Sequence, residues 1–303
     1  MKSTRASALT EAALARWPLP DAGSAADKEA RGHVLVVAGS HEMPGAALLA
    51  AVAALRVGAG KLTIAAPERV AQGLALAVPE SRVVALLETR AGGLKAGGID
   101  RIGPIASRID AVVVGPGMLD EAHSCEFVAQ LLPLFAHAVT VLDALAMSVA
   151  LTPLIKRRGF EQAVIMTPHA GEMAHLTDMS KETVGDEPLV AARDAAARWN
   201  ACVVLKGGQT VIVDAGGAAW RHDQGGTPGL ATSGSGDTLA GLICGLAARG
   251  MEPVQAAGWG VLLHARAGES LARRHGQLGY LAREISGEVP ALIHSIGQRR
   301  KPR

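Results

Sequence analysis

With 303 residues, 49% of them hydrophobic and 19% charged, the chain has ample apolar material for a buried core and is excluded from the disordered class. A net charge of +2 and an aromatic content of 3% leave neither a basic stripe nor a stacking platform, so nucleic acid is not an expected partner. Cys125, Cys202 and Cys244 are far apart in apolar surroundings, which predicts reduced thiols and no disulfide framework or zinc site. Lys2 and Arg5 open the chain, but Glu11 and Arg16 interrupt any signal-peptide core, and no uncharged apolar run approaches the roughly 20 residues that span a bilayer. A cytoplasmic protein without a membrane partner is expected.

In chain order, short buried-type strands are predicted at Val34–Val37, Leu62–Ile64, Ala111–Val114, Thr140–Leu142, Ala163–Met166 and Val203–Leu205. Helical patterns lie between them at Gly45–Val57, Glu121–Leu132 and Leu189–Trp199. This alternation describes a mostly parallel sheet covered on both faces. Lys206-Gly207-Gly208-Gln209-Thr210 then separates Val203–Leu205 from Val211–Val213 in the manner of a hairpin, with a further strand at Ala218–Arg221. Two helices close the pattern, Thr238–Gly250 and Pro253–His275. No Pro- and Ser-rich linker or internal repeat divides the chain. Residues 1–30 read as an N-terminal extension, 31–295 as one domain, and 296–303 as a tail ending in the basic run Arg299-Arg300-Lys301-Pro302-Arg303.

The densest signal is the stretch from Gly226 through Thr227, Pro228 and Ser233 to Gly234-Ser235-Gly236-Asp237, feeding directly into a helix. Unpaired backbone N–H groups at a helix start attract phosphate, and small residues let the ligand approach them. A carboxylate beside an anion site needs a task there: Asp237 either takes a proton from an attacking hydroxyl, holds a divalent cation against the phosphates, or merely caps the helix and complements its dipole. Competing phosphate loops fail on spacing. Gly58-Ala59-Gly60-Lys61 has Leu55 where a P-loop needs its first Gly and Leu62 where it needs Ser or Thr, and Leu239 replaces the third Gly of a dinucleotide fingerprint.

Four other stretches complete a set: Ala38-Gly39-Ser40-His41-Glu42-Met43-Pro44-Gly45-Ala46-Ala47, Val114-Gly115-Pro116-Gly117, Thr167-Pro168-His169-Ala170-Gly171-Glu172, and Leu205-Lys206-Gly207-Gly208-Gln209-Thr210. With the late glycine loop they resemble, in the same order, the NAD(P)H-hydrate dehydratases, relatives of ribokinase that use a nucleotide to repair hydrated nicotinamide cofactors. The resemblance implies a ribokinase-like three-layer α/β/α sandwich with a mostly parallel central sheet. It also implies Mg²⁺ as cofactor, ADP as co-substrate, and hydrated NADH or NADPH as substrate.

By the same resemblance Asp237 is the catalytic base, with Gly234, Ser235 and Gly236 presenting N–H groups to the transferred phosphoryl. Lys206, Gly207, Gly208, Gln209, Thr210 and Gly236 hold the nucleotide, while Ala46, Gly117, His169 and Asp237 contact the hydrated dinucleotide. Asp143 and Glu172 reach the metal through water rather than directly. The residues themselves leave alternatives open: an ordinary glycine hairpin at Lys206–Thr210, a structural His169, a helix-start role for Glu172, and close helix packing at Ala46 and Gly117.

The chain departs from its relatives at Leu145, where a second Asp is common after Asp143-Ala144, at Thr227 where Asn is frequent, and at Ser233 where Gly is frequent. Some relatives carry a fused epimerase, whereas about 30 residues precede Val34 here, so a separate epimerase is expected in the same pathway. A homo-oligomer, a tetramer by resemblance, is also expected, since the Ala46–Val57 segment has Arg56 as its only charge. Two other functions fit the glycine loop: a small-molecule kinase for a vitamin precursor or sugar, and a non-catalytic nucleotide-binding protein.

Overall fold

The computed structural model describes residues 5–20, 27–223 and 227–299. Gly226 and the end of the basic tail, Arg300 to Arg303, lie outside the described residues, as does Lys2. Ten strands form one sheet: β1 (Ser7–Ala8), β2 (His33–Val37), β3 (Lys61–Pro67), β4 (Arg82–Leu86), β5 (Ala111–Val114), β6 (Val139–Leu142), β7 (Val164–Met166), β8 (Cys202–Leu205), β9 (Gln209–Val213) and β10 (Ala219–Asp223). Their spatial order is β1-β10-β9-β8-β7-β6-β5-β2-β3-β4. All pairs are parallel except β9, which runs against both β8 and β10.

The sequence dictates this because both faces of the central strands are apolar. In β2, Val34 and Val36 enter one core while Leu35 and Val37 enter the other; in β5, Val113 and Val112 divide in the same way. The first core is covered by the helices Pro44–Arg56, Ser235–Ala248 and Pro253–His275. The second is covered mainly by Glu121–Leu131 and Pro188–Trp199. The expected layered α/β fold and its six central strands are present, and β4 and the Glu68–Ala77 helix are additions that the pattern did not single out.

Two boundaries differ from expectation. Part of the N-terminal segment is built into the fold. Ser7–Ala8 pairs with Trp220 and Arg221, Leu9 and Leu14 are buried, and the Trp259 indole donates to the Trp17 carbonyl at 2.7 Å. At the other end the Ala282–Arg299 helix runs past residue 295, with Ile296 still buried, because an apolar stripe continues into what composition marks as a tail. The glycine-loop helix also begins earlier than expected, at Ser235 rather than Thr238, with Gly234 as its N-cap at a φ of 86°.

The Ser235–Ala248 helix lies unusually close to the Pro44–Arg56 helix. A Cβ at Gly241 would collide with the Ala50 carbonyl, and one at Gly245 would come 2.7 Å from the Ala54 oxygen. Main chain therefore rests on main chain, which buries Ala46, Ala47, Ala50, Ala51, Ala53 and Ala54. Leu48, Leu49, Val52 and Leu55 pack partly buried around the same helix. The apolar circumference of this helix is thus largely accounted for inside the chain and does not by itself require a subunit interface.

Gly241→Ala should lower stability by about 1–3 kcal/mol, as overpacking does. Urea unfolding followed by circular dichroism checks this, and an unchanged midpoint would mean that the two helices are free to move apart.

Candidate active site

The chain runs outward from β2 through β3 to β4 and returns to β5 on the other side of β2. Strand order reverses there, and in open α/β sheets ligands bind at that point, beyond the carboxyl ends of the strands. The loops after β2 and β5 are tied together by Gly39 N–H donating to the Pro116 carbonyl at 2.7 Å. Gly117, at a φ of 66°, packs against Ala46 so closely that a Cβ would sit 2.6 Å from the Ala46 methyl. The two expected substrate contacts are therefore neighbours across the crevice, and the close-packing account of their small size also applies.

Along the same edge, successive strand ends deliver Asp143 after β6, Thr167-Pro168-His169 after β7 and Lys206 after β8. Lys206 N–H donates to the Pro168 carbonyl at 2.7 Å, which extends the β7–β8 pairing into the loops. The side chains then converge. Asp143 is almost wholly buried, and one of its oxygens, Oδ1, accepts from the Thr167 hydroxyl at 2.6 Å and from Lys206 Nζ at 2.9 Å. Glu172 Oε2 lies 3.9 Å from the same ammonium. Burial works against the charge on Lys206, yet Asp143 and Glu172 outweigh it and hold the pKa above its ordinary value.

Asp237 stands in the first turn of the Ser235–Ala248 helix, two residues inside its start, and so is not the capping residue. Burial first, and then the neighbouring Asp143 and Glu172 charges, push its carboxyl up to about 6, while Lys206 pulls the other way. A carboxylate poised near neutrality is what proton abstraction needs. Among the described residues, the Gly236 and Asp237 amides have no backbone acceptor, whereas Ser235 N–H reaches Thr232 and Thr238 N–H reaches Gly234. Gly236 faces the ammonium, since a Cβ there would be 3.3 Å from Lys206 Nζ.

His169 caps the Ala170–Thr177 helix. Its Nδ1 accepts from the Gly171 and Glu172 amides at 3.0 and 3.1 Å, and Glu172 Oε2 accepts from His169 N–H at 2.8 Å. Nδ1 is committed as an acceptor, which places the proton of the neutral ring on Nε2, 3.7 Å from Glu172 Oε2. The helix-start role of Glu172 and its place beside Lys206 hold together.

Two cavities meet at this cluster. The larger, about 590 Å³, is walled by Lys206, Gly207, Gly208 and Thr210 on one side and by the loop 227–236 on the other. Thr227 and His264 also line it. The second, about 380 Å³, lies on the far side of His169, which borders both. Of the expected nucleotide residues Gln209 is the exception: it does not line the larger cavity, and its amide donates to Asp223 on β10 at 2.8 Å. Ala46, Gly117, Asp143, Gly234 and Asp237 line neither cavity.

His264 is a site residue that sequence reasoning missed. It is buried, with Nε2 3.0 Å from Ser235 Oγ and 3.1 Å from the Ser235 carbonyl, and burial lowers its pKa to about 4. A neutral imidazole therefore steadies the first residue of the glycine-loop helix. Its signal was a single polar residue in the apolar run Val261-Leu262-Leu263-His264-Ala265. Among the described residues no three His, Cys, Asp or Glu converge to hold a metal on their own. Mg²⁺ commonly rides on nucleotide phosphates with one or two carboxylates reached through water, and Asp143 and Glu172, 2.9 and 3.9 Å from the Lys206 ammonium that borders the larger cavity, fit that donor set.

An α/β sheet of this order, with a glycine loop and an aspartate opening a late helix, is a ribokinase-like fold. A ribokinase-like superfamily protein from Enterococcus faecalis has the same fold, with a TM-score of 0.82 at 23% identity over 98% of each chain. The sequence profile of the NAD(P)H-hydrate dehydratases matches residues 34–291, and the chain belongs to that family. It is 45% identical to an ADP-dependent (S)-NAD(P)H-hydrate dehydratase of Xanthomonas campestris, over 98% of this chain and 99% of the relative.

It is also similar, at 35% identity over 95% of its length, to a bifunctional NAD(P)H-hydrate repair enzyme Nnr of Moorella thermoacetica, of which it spans 54%. The ADP/ATP-dependent NAD(P)H-hydrate dehydratase of Bacillus subtilis, co-crystallised with ATP and Mg²⁺, matches with a TM-score of 0.77 at 29% identity, over 99% of this chain and all of the other.

Since the Asp237 carboxyl is harder to ionise folded than unfolded, the stability it contributes is fully present below about pH 4 and is lost as pH rises through about 6. Asp237→Asn should therefore be more stable than the parent at pH 8, by on the order of 1 kcal/mol, with no difference at pH 4. Thermal unfolding at the two pH values measures this, and equal stability at pH 8 would contradict a desolvated carboxylate.

Proposed function

We propose that this chain dehydrates the S form of hydrated NADH and NADPH, using ADP to turn a poor leaving group into a good one. The observation that carries the reading is Asp237, raised toward neutrality at the head of the glycine loop, in a chain of this family. The larger cavity takes the nucleotide, with its phosphates toward Lys206 and the free amides of Gly236 and Asp237. Gly207, Gly208 and Thr210 line its adenosine side.

Asp237 accepts the proton of the C6 hydroxyl, the oxygen attacks the terminal phosphorus of ADP, and AMP departs. The amides of the glycine loop stabilise the charge on the transferred group. The ring nitrogen then pushes out phosphate as the C6–O bond breaks, and loss of a proton from C5 restores the dihydronicotinamide. Mg²⁺, when bound with the nucleotide, neutralises phosphate charge. His169, with its proton on Nε2, orients the hydrated dinucleotide, and Lys206 holds the phosphates while Asp143 fixes its ammonium.

Purified protein with hydrated NADH, Mg²⁺ and ADP should restore the absorbance of the reduced nicotinamide; no recovery would refute the reading. Asp237→Asn should cost about 100- to 10,000-fold in turnover, the usual range for a general base. Calorimetry should show nucleotide binding retained. Near-normal turnover would reduce Asp237 to a helix-dipole residue.

The relative from Xanthomonas is named ADP-dependent and that from Bacillus ADP/ATP-dependent, which supports ADP as the preferred donor here. AMP and phosphate should be the products, and a higher kcat/KM for ATP, with ADP released, would overturn the choice.

A further inference from the structure

The second cavity has no assigned occupant. It opens on the opposite side of His169 from the nucleotide cavity, with Glu172 on its wall next to Lys206. Its floor is apolar, built by Leu145, Met147 and Leu176, and its polar wall is Ser148, Glu121 and His175. The Glu121 carboxylate receives the hydroxyl of the buried Ser148, and Oε1 lies 3.3 Å from His175 Nε2. A carboxylate has roughly four acceptor sites, so these two partners leave room for a ligand hydroxyl.

Its position fits the acceptor substrate. Glu121 follows Gly117 in the loop after β5 and opens the Glu121–Leu131 helix, and His175 lies on the helix that His169 caps. The cavity therefore lies between segments that carry two expected dinucleotide contacts. With the glycine loop and Lys206 assigned to the donor's phosphates, this is the space left for the far end of the hydrated cofactor. Its lining holds Glu121 and Glu172 and, among the described residues, no Lys or Arg. Such a wall suits a ribose diol on an apolar floor and repels a phosphate, as acidic residues do toward the ribose 2′ position in dinucleotide folds.

We propose that this cavity receives the adenosine ribose of the hydrated dinucleotide, and that Glu121, accepting from its 2′-hydroxyl, makes this chain prefer hydrated NADH to hydrated NADPH. Leu145 supplies part of the apolar floor. The inference rests on the dehydratase reading, but its test is separable from it.

The kcat/KM values of hydrated NADH and hydrated NADPH are measured with ADP for the parent, Glu121→Gln and Glu121→Ala. The parent should favour hydrated NADH. Either variant should lower the ratio about 10-fold or more, as expected for loss of a hydrogen bond to a charged acceptor. The change should sit in the KM of the dinucleotide, with the KM of ADP unaltered, and a melting temperature near that of the parent identifies a folded variant. If both substrates turn over and the ratio does not move in either variant, the assignment of Glu121 is wrong and the dehydratase reading stands. If neither is turned over by the parent, that reading fails and the inference with it.

Discussion

A half-buried ammonium among carboxylates is the constraint on which the site is built. Lys206 cannot leave water without partners, and Asp143 at 2.9 Å and Glu172 at 3.9 Å supply them. Each comes from a different strand end, so pairing them pins the loops after β6, β7 and β8 into one surface. The same cluster sets the character of Asp237. Burial pushes the Asp237 carboxyl up to about 6, and the neighbouring Asp143 and Glu172 charges add to that rise while Lys206 opposes it. Removing Lys206 would therefore leave Asp143 and Glu172 without their cation and raise the Asp237 pKa further.

The two cavities also differ in character. Lys206 and the glycine backbone at 207, 208 and 236 line the larger, whereas Glu121, Glu172 and Ser148 line the other. His169 stands between them with its orientation fixed by the helix it caps. A ring whose Nδ1 is occupied by two amides has one remaining polar edge, Nε2.

Much of this was legible in the sequence because parallel sheets impose a strong pattern. Short unbroken apolar runs, as at Ala111–Val114, read as strands buried on both faces, and the turns that follow them carry the polar residues. The glycine loop and Lys206 declared themselves by composition. What escaped was set by distant packing. Ser7–Ala8 pairs only because β10 offers an edge, Gln209 turns to Asp223 across a hairpin, and His264 meets Ser235 through a helix crossing. Glu121 and His175 are far apart in sequence and look like ordinary helix-surface charges until Ser148 and the apolar floor are placed beside them.

The main-chain contact between the Gly241 and Ala50 regions has a consequence for how the protein tolerates change. At Gly241 only the Ala50 main chain faces the helix and no side chain can yield by rotating, so the helix bearing Asp237 is located against the helix that follows the Gly39 loop with almost no slack. Asp237 and the crevice at the strand-order reversal are thereby set out from a common datum. Lesions in this joint would shift Asp237 against that crevice although they lie away from both, and the two helices form a single mechanical part that any transplant of the site would have to carry whole.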